Sequence, residues 1–141
     1  MSTDIEAVIP HIVVDDAAAA LEFYRKALGA EEVMRVPADD GKRLLHSEMK
    51  LGGSRVFVRD AFPEHCGSGG KDGSPKTFGG TAVTLHLRVA DCDAAVERAA
   101  GAGAVVVMPP EDAFWGDRFA VVADPYGHAW SFAHTLERDS A

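Results

Sequence analysis

Cysteine is scarce in this chain, which has only Cys66 and Cys92. The two form neither a disulfide framework nor a metal-type pair, and their scarcity fits a reducing cytoplasm. Basic residues are also in deficit, with 14 Lys and Arg against 22 Asp and Glu and a net charge of -8. An acidic domain repels phosphate backbones, so the balance argues against nucleic acid as a partner, whereas a cationic small molecule would be attracted. No segment approaches the ~18 to 20 apolar residues that a membrane span needs. The opening MSTDIEAVIP has no basic stretch followed by an apolar run, so no export signal is expected. A nucleophile elbow, a phosphate loop and a catalytic cysteine motif are missing as well. What is present, 141 residues with 47% hydrophobic and 26% charged, is the composition of a single soluble domain with a real core.

Against these absences stands an internal repeat. IPHIVVDDAAAALEFYRKALGA, from Ile9 to Ala30, returns as TLHLRVADCDAAVERAAGAGA, from Thr84 to Ala104. His11 matches His86, Val14 matches Val89 and Asp16 matches Asp91, all at an offset of 86 − 11 = 75 residues. A period this long is a half-domain rather than a solenoid unit. It implies two copies of one strand-then-helix unit, with a cleft where like strands face like strands.

Local patterning fills in each copy. Val8 to Val14 is rich in β-branched residues and ends at Asp15-Asp16, whose short carboxylates suit a helix N-cap. AAAALEFYRKAL is strongly helix-forming and stops at Gly29, with Leu21, Tyr24 and Leu28 marking its buried face. Three strands are predicted next, at Glu31 to Val36, Arg43 to Leu51 and Ser54 to Arg59, with turns at Asp39-Asp40-Gly41 and Gly52-Gly53. The stretch 60–81, centred on GSGGKDGSPKTFGG, reads as a linker. The second half repeats the plan: a strand at Ala82 to Val89, a helix capped by Asp91 or Asp93, a strand closed by proline, then Phe119 to Ala123 and Ala129 to His134 on either side of the DPYGH turn. The expected fold is α+β, with two βαβββ modules at 7–59 and 82–136 forming curved mixed sheets that carry helices on their outer face.

Strand alternation assigns side chains to faces. If Ile12 and Val14 face the helix, His11 faces away from it. By the same parity, Leu85 and Leu87 oppose His86 and Arg88, Leu45, Met49 and Leu51 oppose His46, Glu48 and Lys50, and Val56 and Val58 oppose Arg55, Phe57 and Arg59. Four strands thus agree on a polar second face, which is a ligand cavity in outline. Trp130 and Phe132, alternating with Ser131, belong to the core. His65 and His128 are expected to be exposed.

Several segments carry a resemblance. These are Phe23-Tyr24-Arg25-Lys26-Ala27-Leu28-Gly29-Ala30, Leu85 to Asp91, and Asp124-Pro125-Tyr126-Gly127-His128-Ala129-Trp130, in that order and spacing. They resemble the vicinal oxygen chelate superfamily of glyoxalase I, bleomycin resistance proteins and extradiol dioxygenases. Pro10-His11, LLHSEMKLGGSRVFVRD and Phe114-Trp115-Gly116-Asp117-Arg118 are most similar to its PhnB-like branch. The resemblance implies a small-molecule ligand and a homodimer. Metal-dependent members carry four His or Glu ligands, and the matching slots here are Ile9, Phe57, Thr84 and Ser131. None offers imidazole nitrogen or carboxylate oxygen, so no metal site of the usual kind is expected.

Two roles remain open for the pocket residues. His11 and His86 lie two residues beyond vacated slots and, with Glu48, are candidates for a displaced divalent-metal site or for metal-free acid-base catalysis. Alternatively they line a pocket that binds without chemistry, as in bleomycin resistance proteins. The predicted ligand-binding set is His11, His46, Glu48, Phe57, His86 and Arg88, joined by Trp115 and Arg118 on a loop that could lid the cavity. Glu48, Lys50 and Arg88 cannot stay buried and unpaired, so they pair with one another or meet a polar ligand.

Overall fold

A computed structural model describes residues 1–65 and 71–137. Cys66 and the middle of the predicted linker lie outside the described residues, as does the side chain of His65. The first module runs β1 (His11–Val14), α1 (Ala17–Leu28), β2 (Glu31–Pro37), β3 (Leu44–Leu51) and β4 (Ser54–Asp60). After a single 3-10 turn at Pro63–His65 and the short α2 (Pro75–Phe78), the second module runs β5 (Thr84–Arg88), α3 (Cys92–Ala102), β6 (Val105–Asp112), β7 (Asp117–Ala123) and β8 (Ala129–Thr135). Each module is one four-stranded mixed sheet, ordered β1-β4-β3-β2 in the first and β5-β8-β7-β6 in the second. Only the first and last strands of each module pair in parallel. The chain divides into two compact units, one holding β1 to β4 with most of α1, the other α2 to β8 with Lys26–Leu28.

The helices begin and end where short polar side chains and glycine allow. The Asp16 carboxylate caps α1 by accepting from the Ala19 amide, and Asp91 caps α3 through the Ala94 amide. Gly29 terminates α1 with a φ of 71°, a left-handed turn that costs other residues about 1 kcal/mol or more. Ala17, Ala20, Leu21, Tyr24 and Ala27 form the buried stripe of α1, at spacings of three and four. Each large side chain in such a stripe contributes about 1.5 to 3 kcal/mol on burial. In the second module α3 packs on β6, β7 and β8, where Ala120, Val122, Trp130 and Phe132 are buried.

Buried carboxylates brace the turns. Asp60, the last residue of β4 rather than the first of a linker, is buried and accepts from the amides of Ala17 and Leu44 at 3.0 and 2.7 Å. Asp124 is buried in the DPYGH turn; one of its oxygens accepts from the Tyr126 and His128 amides and the other from the Trp130 indole, all at 2.9 Å. That arrangement draws His128 inward, so it is buried rather than exposed. At the start of α3, His134 Nδ1 accepts from the Cys92 amide at 2.8 Å, an N-terminal cap supplied by a neighbouring strand.

Three further expectations need revision. The predicted linker contains α2, and its Asp72 is tied to Arg59 by a bidentate ion pair at 2.7 and 2.8 Å. β6 continues through Pro109-Pro110 to Asp112 instead of stopping there; it is an edge strand with a register shift between Met108 and Glu111, the setting in which missing amide donors are tolerated. In β3, Ser47 rather than Leu45 joins Met49 inside, because its hydroxyl donates to the Val58 carbonyl at 2.6 Å.

Candidate functional site

The polar face of the first module is built on β1, β3 and β4. His11 pairs across β1 and β4 with Phe57, and Phe57 pairs in turn with Glu48 on β3. This register brings three rings together: His46 lies 4.6 Å from Phe57 and 5.7 Å from His11, and His11 lies 5.6 Å from Phe57, all edge to face. Burial, then the nearby Arg59 cation and His46, hold the His11 imidazole below its ordinary 6.5. His11 is thereby held toward its uncharged form beside the Phe57 ring. Glu48 is the carboxylate on this face, and Arg55 on the adjacent strand is 3.6 Å away. Lys50 is exposed.

The second module uses the equivalent strands differently. His86 on β5 is opposite Ser131 on β8, and its Nδ1 lies 2.7 Å from the Ser131 hydroxyl. Its ring is nearly parallel to Phe119 on β7 at 6.2 Å, and Phe119 is 5.8 Å from Trp115. Trp115 is 55% exposed and Phe114, 5.1 Å from it, 97% exposed. The three rings of His86, Phe119 and Trp115 therefore make a wall that opens toward solvent.

Charge on this face is locally matched. Arg88 spans β8 to reach Asp117 at 3.0 Å and the Thr135 hydroxyl at 2.7 Å. Asp117 also accepts from the Trp115 indole at 3.2 Å. The Arg88 hydrogen bond is the main cause that lowers the Asp117 carboxyl from its ordinary 3.8. Arg118 does not join this group. It lies on β7 rather than in a loop, and alternation turns it to the face of Ala120 and Val122, where it pairs with Asp93 and Asp112 at 2.8 and 2.9 Å. Phe119, Asp117 and Thr135 are the members that sequence reasoning did not select. Alternation from Asp117 through Phe119 to Val121 was the available signal.

The slots assigned by resemblance, Ile9, Phe57, Thr84 and Ser131, offer a divalent cation neither imidazole nor carboxylate. Ile9 and Phe57 carry no donor atom, and the Ser131 hydroxyl is engaged by His86. Among the described residues no three His, Cys, Asp or Glu side chains come together as a metal-binding group. No helix among them is long and apolar enough to cross a membrane.

Two βαβββ modules, each with a polar sheet face, define the class, and sequence comparison identifies it: residues 7–132 match the Glyoxalase/Bleomycin resistance protein/Dioxygenase superfamily. The chain belongs to that superfamily. It is 52% identical to the uncharacterized protein Mb0911c of Mycobacterium bovis over 96% of this chain and 88% of that one. Among solved structures it is similar to TioX from Micromonospora sp. ML1, with a TM-score of 0.72 and 27% identity over 94% of this chain and 100% of that one. The Arabidopsis thaliana At5g48480 gene product gives a TM-score of 0.70 and 31% identity over 92% and 99%.

Proposed function

We propose that this chain is a small-molecule-binding protein of the superfamily, in its PhnB-like branch, that holds a planar and preferably cationic ligand without the usual four-ligand metal. The observation that carries this reading is the half-open wall of Trp115, Phe119 and His86 on a polar sheet face, in which the Phe119 ring lies within stacking reach of the other two. The net charge of -8 favours a cation as the ligand. The protein acts in the cytoplasm as a homodimer, independent of nucleic acid and membrane. Support for the dimer comes from the edge strands β2 and β6, where Val33, Met34 and Val36, and Val105 to Met108, are exposed apolar residues that a second copy would cover.

Titration with 9-aminoacridine and with bleomycin tests the reading through tryptophan fluorescence, because Trp115 is exposed and Trp130 buried. Quenching that disappears in Trp115→Phe supports it, and unchanged fluorescence with both probes removes it. Light scattering during size exclusion reports the dimer.

A second reading, an acid-base enzyme, rests on the 2.7 Å contact between His86 and Ser131. That contact fixes the ring and leaves Nε2 to exchange a proton with a substrate. On the polar face of the first module, His11 and Glu48 are the acid-base candidates in their own right, with a displaced metal as a variant of the same idea. Elemental analysis of protein purified without a metal-affinity tag, alongside the His11→Ala, His86→Ala double variant, separates the versions. Metal lost in the variant favours the displaced site. No turnover of hemithioacetals, catechols or epoxides argues against either version.

A further inference from the structure

The tight turn before β7 fixes the backbone of Trp115 but not its ring. The Ala113 amide donates to the Asp117 carbonyl at 2.8 Å and the Gly116 amide to the Ala113 carbonyl at 3.1 Å. An indole that is 55% exposed could still rotate about two side-chain bonds, and a freely rotating ring loses binding energy when a ligand must immobilise it. The ring's one polar group is held by a carboxylate: Asp117 Oδ2 accepts from the indole nitrogen at 3.2 Å. The same oxygen accepts from Arg88 on β5 at 3.0 Å, and the other end of that guanidinium donates to Thr135 on β8 at 2.7 Å. The carboxylate is thus anchored from two other strands, and its charge is matched by a cation already in the protein.

We infer that Asp117 is a positioning residue for ligand capture, setting the Trp115 indole beside Phe119 so that the aromatic wall exists before the ligand arrives. This rests on the stacking role given to Trp115 above. Asp117 itself does not attract the ligand's positive charge, because Arg88 satisfies it. Arg88 accordingly acts through Asp117 and is not a contact for the ligand.

The test uses the full chain labelled with nitrogen-15. Its two tryptophans, Trp115 and Trp130, give two indole resonances, and the one that vanishes in Trp115→Phe is Trp115. In Asp117→Ala that resonance is expected to shift and exchange faster with water. The 9-aminoacridine affinity is expected to fall about tenfold, by about as much as in Trp115→Ala, the scale of one cation-π contact. The Asp117→Ala, Trp115→Ala double variant should bind no more weakly than Trp115→Ala alone. Asp117→Asn, which keeps the side-chain shape and an acceptor oxygen, should restore most of the indole signal and guards against a folding defect in the alanine variant. An unmoved Trp115 resonance in Asp117→Ala, or additive losses in the double variant, overturns the inference. If the resonance moves but Trp115→Ala binds 9-aminoacridine as well as wild type, the stacking function fails, and the ligand role of Asp117 fails with it.

Discussion

Replacing Asp124 with asparagine changes one buried atom, and the geometry of the DPYGH turn sets the consequence. The carboxylate is 6% exposed and serves three donors: two backbone amides on one oxygen and the Trp130 indole on the other, each at 2.9 Å. An asparagine side chain has one acceptor oxygen. If that oxygen stays with the Tyr126 and His128 amides, its NH2 group meets the indole N–H, donor against donor. If it flips, both backbone amides lose their acceptor. A buried donor left without a partner costs about 1 to 3 kcal/mol, and the surviving bonds weaken once the acceptor is uncharged. Asp124→Asn is therefore expected to lose about 2 to 4 kcal/mol in urea unfolding followed by far-UV circular dichroism. The melting temperature should fall by roughly 5 to 15 °C. Trp130→Phe removes the opposing donor, so the double variant should be less destabilised than the sum of the singles, by about 1 to 2 kcal/mol. A loss below about 0.5 kcal/mol for Asp124→Asn, or strict additivity in the cycle, would refute the account of how this turn is held.

Arg59 offers a second test, because it bears on two titrating groups at once. In the folded protein His11 titrates below its ordinary 6.5, so stability is full above that value and declines as pH falls from 6.5 to the lower folded midpoint. Asp72, lowered from 3.8 to about 2 chiefly by its bond from Arg59, contributes stability that is present above 3.8 and lost as pH falls toward 2. In Arg59→Met the His11 midpoint should rise while staying below 6.5, since burial is the larger cause, and that of Asp72 should rise toward 3.8; NMR titrations read both, and two unmoved midpoints would contradict the assignment. Glycine substitutions supply an opposed pair. Gly127 has a φ of 89°, and an added Cβ would sit 2.9 Å from Pro75 Cβ, so Gly127→Ala should destabilise by about 1 to 3 kcal/mol. Gly101, inside α3 with open space around it, should gain about 0.5 to 1 kcal/mol as alanine; thermal melts of both variants check the pair.

The repeat made the two modules readable because both copies kept their helix punctuation. Asp16 and Asp91 cap the helices, and Gly29 stops the first, by local chemistry that needs no tertiary context. Period-two alternation likewise placed His11, His46, Phe57 and His86 on polar faces. Other features depend on distant partners and left weaker traces. Asp60 read as the start of a linker, yet it is a buried brace for the amides of Ala17 and Leu44 on other elements. Asp117 read as part of a loop, whereas strand pairing starts β7 at Asp117 instead of Phe119 and gives it Arg88 and Thr135 as neighbours. Pro109-Pro110 read as a stop, because the sequence does not reveal that β6 lies at an edge where one row of amides goes unpaired.

Those prolines also limit how the protein can go wrong at high concentration. An edge strand with four consecutive exposed apolar residues, Val105 to Met108, is a template for runaway strand addition between molecules. Stacking of the amyloid type draws on uninterrupted segments of about six or seven residues. Pro109 and Pro110 cut the pairing-competent backbone short of that length, and on edge strand β2 the paired charges of Glu32 and Arg35 together with terminal Pro37 have the same effect. Each of these two edges is thus long enough to be covered by one specific partner and too short to propagate a fibre.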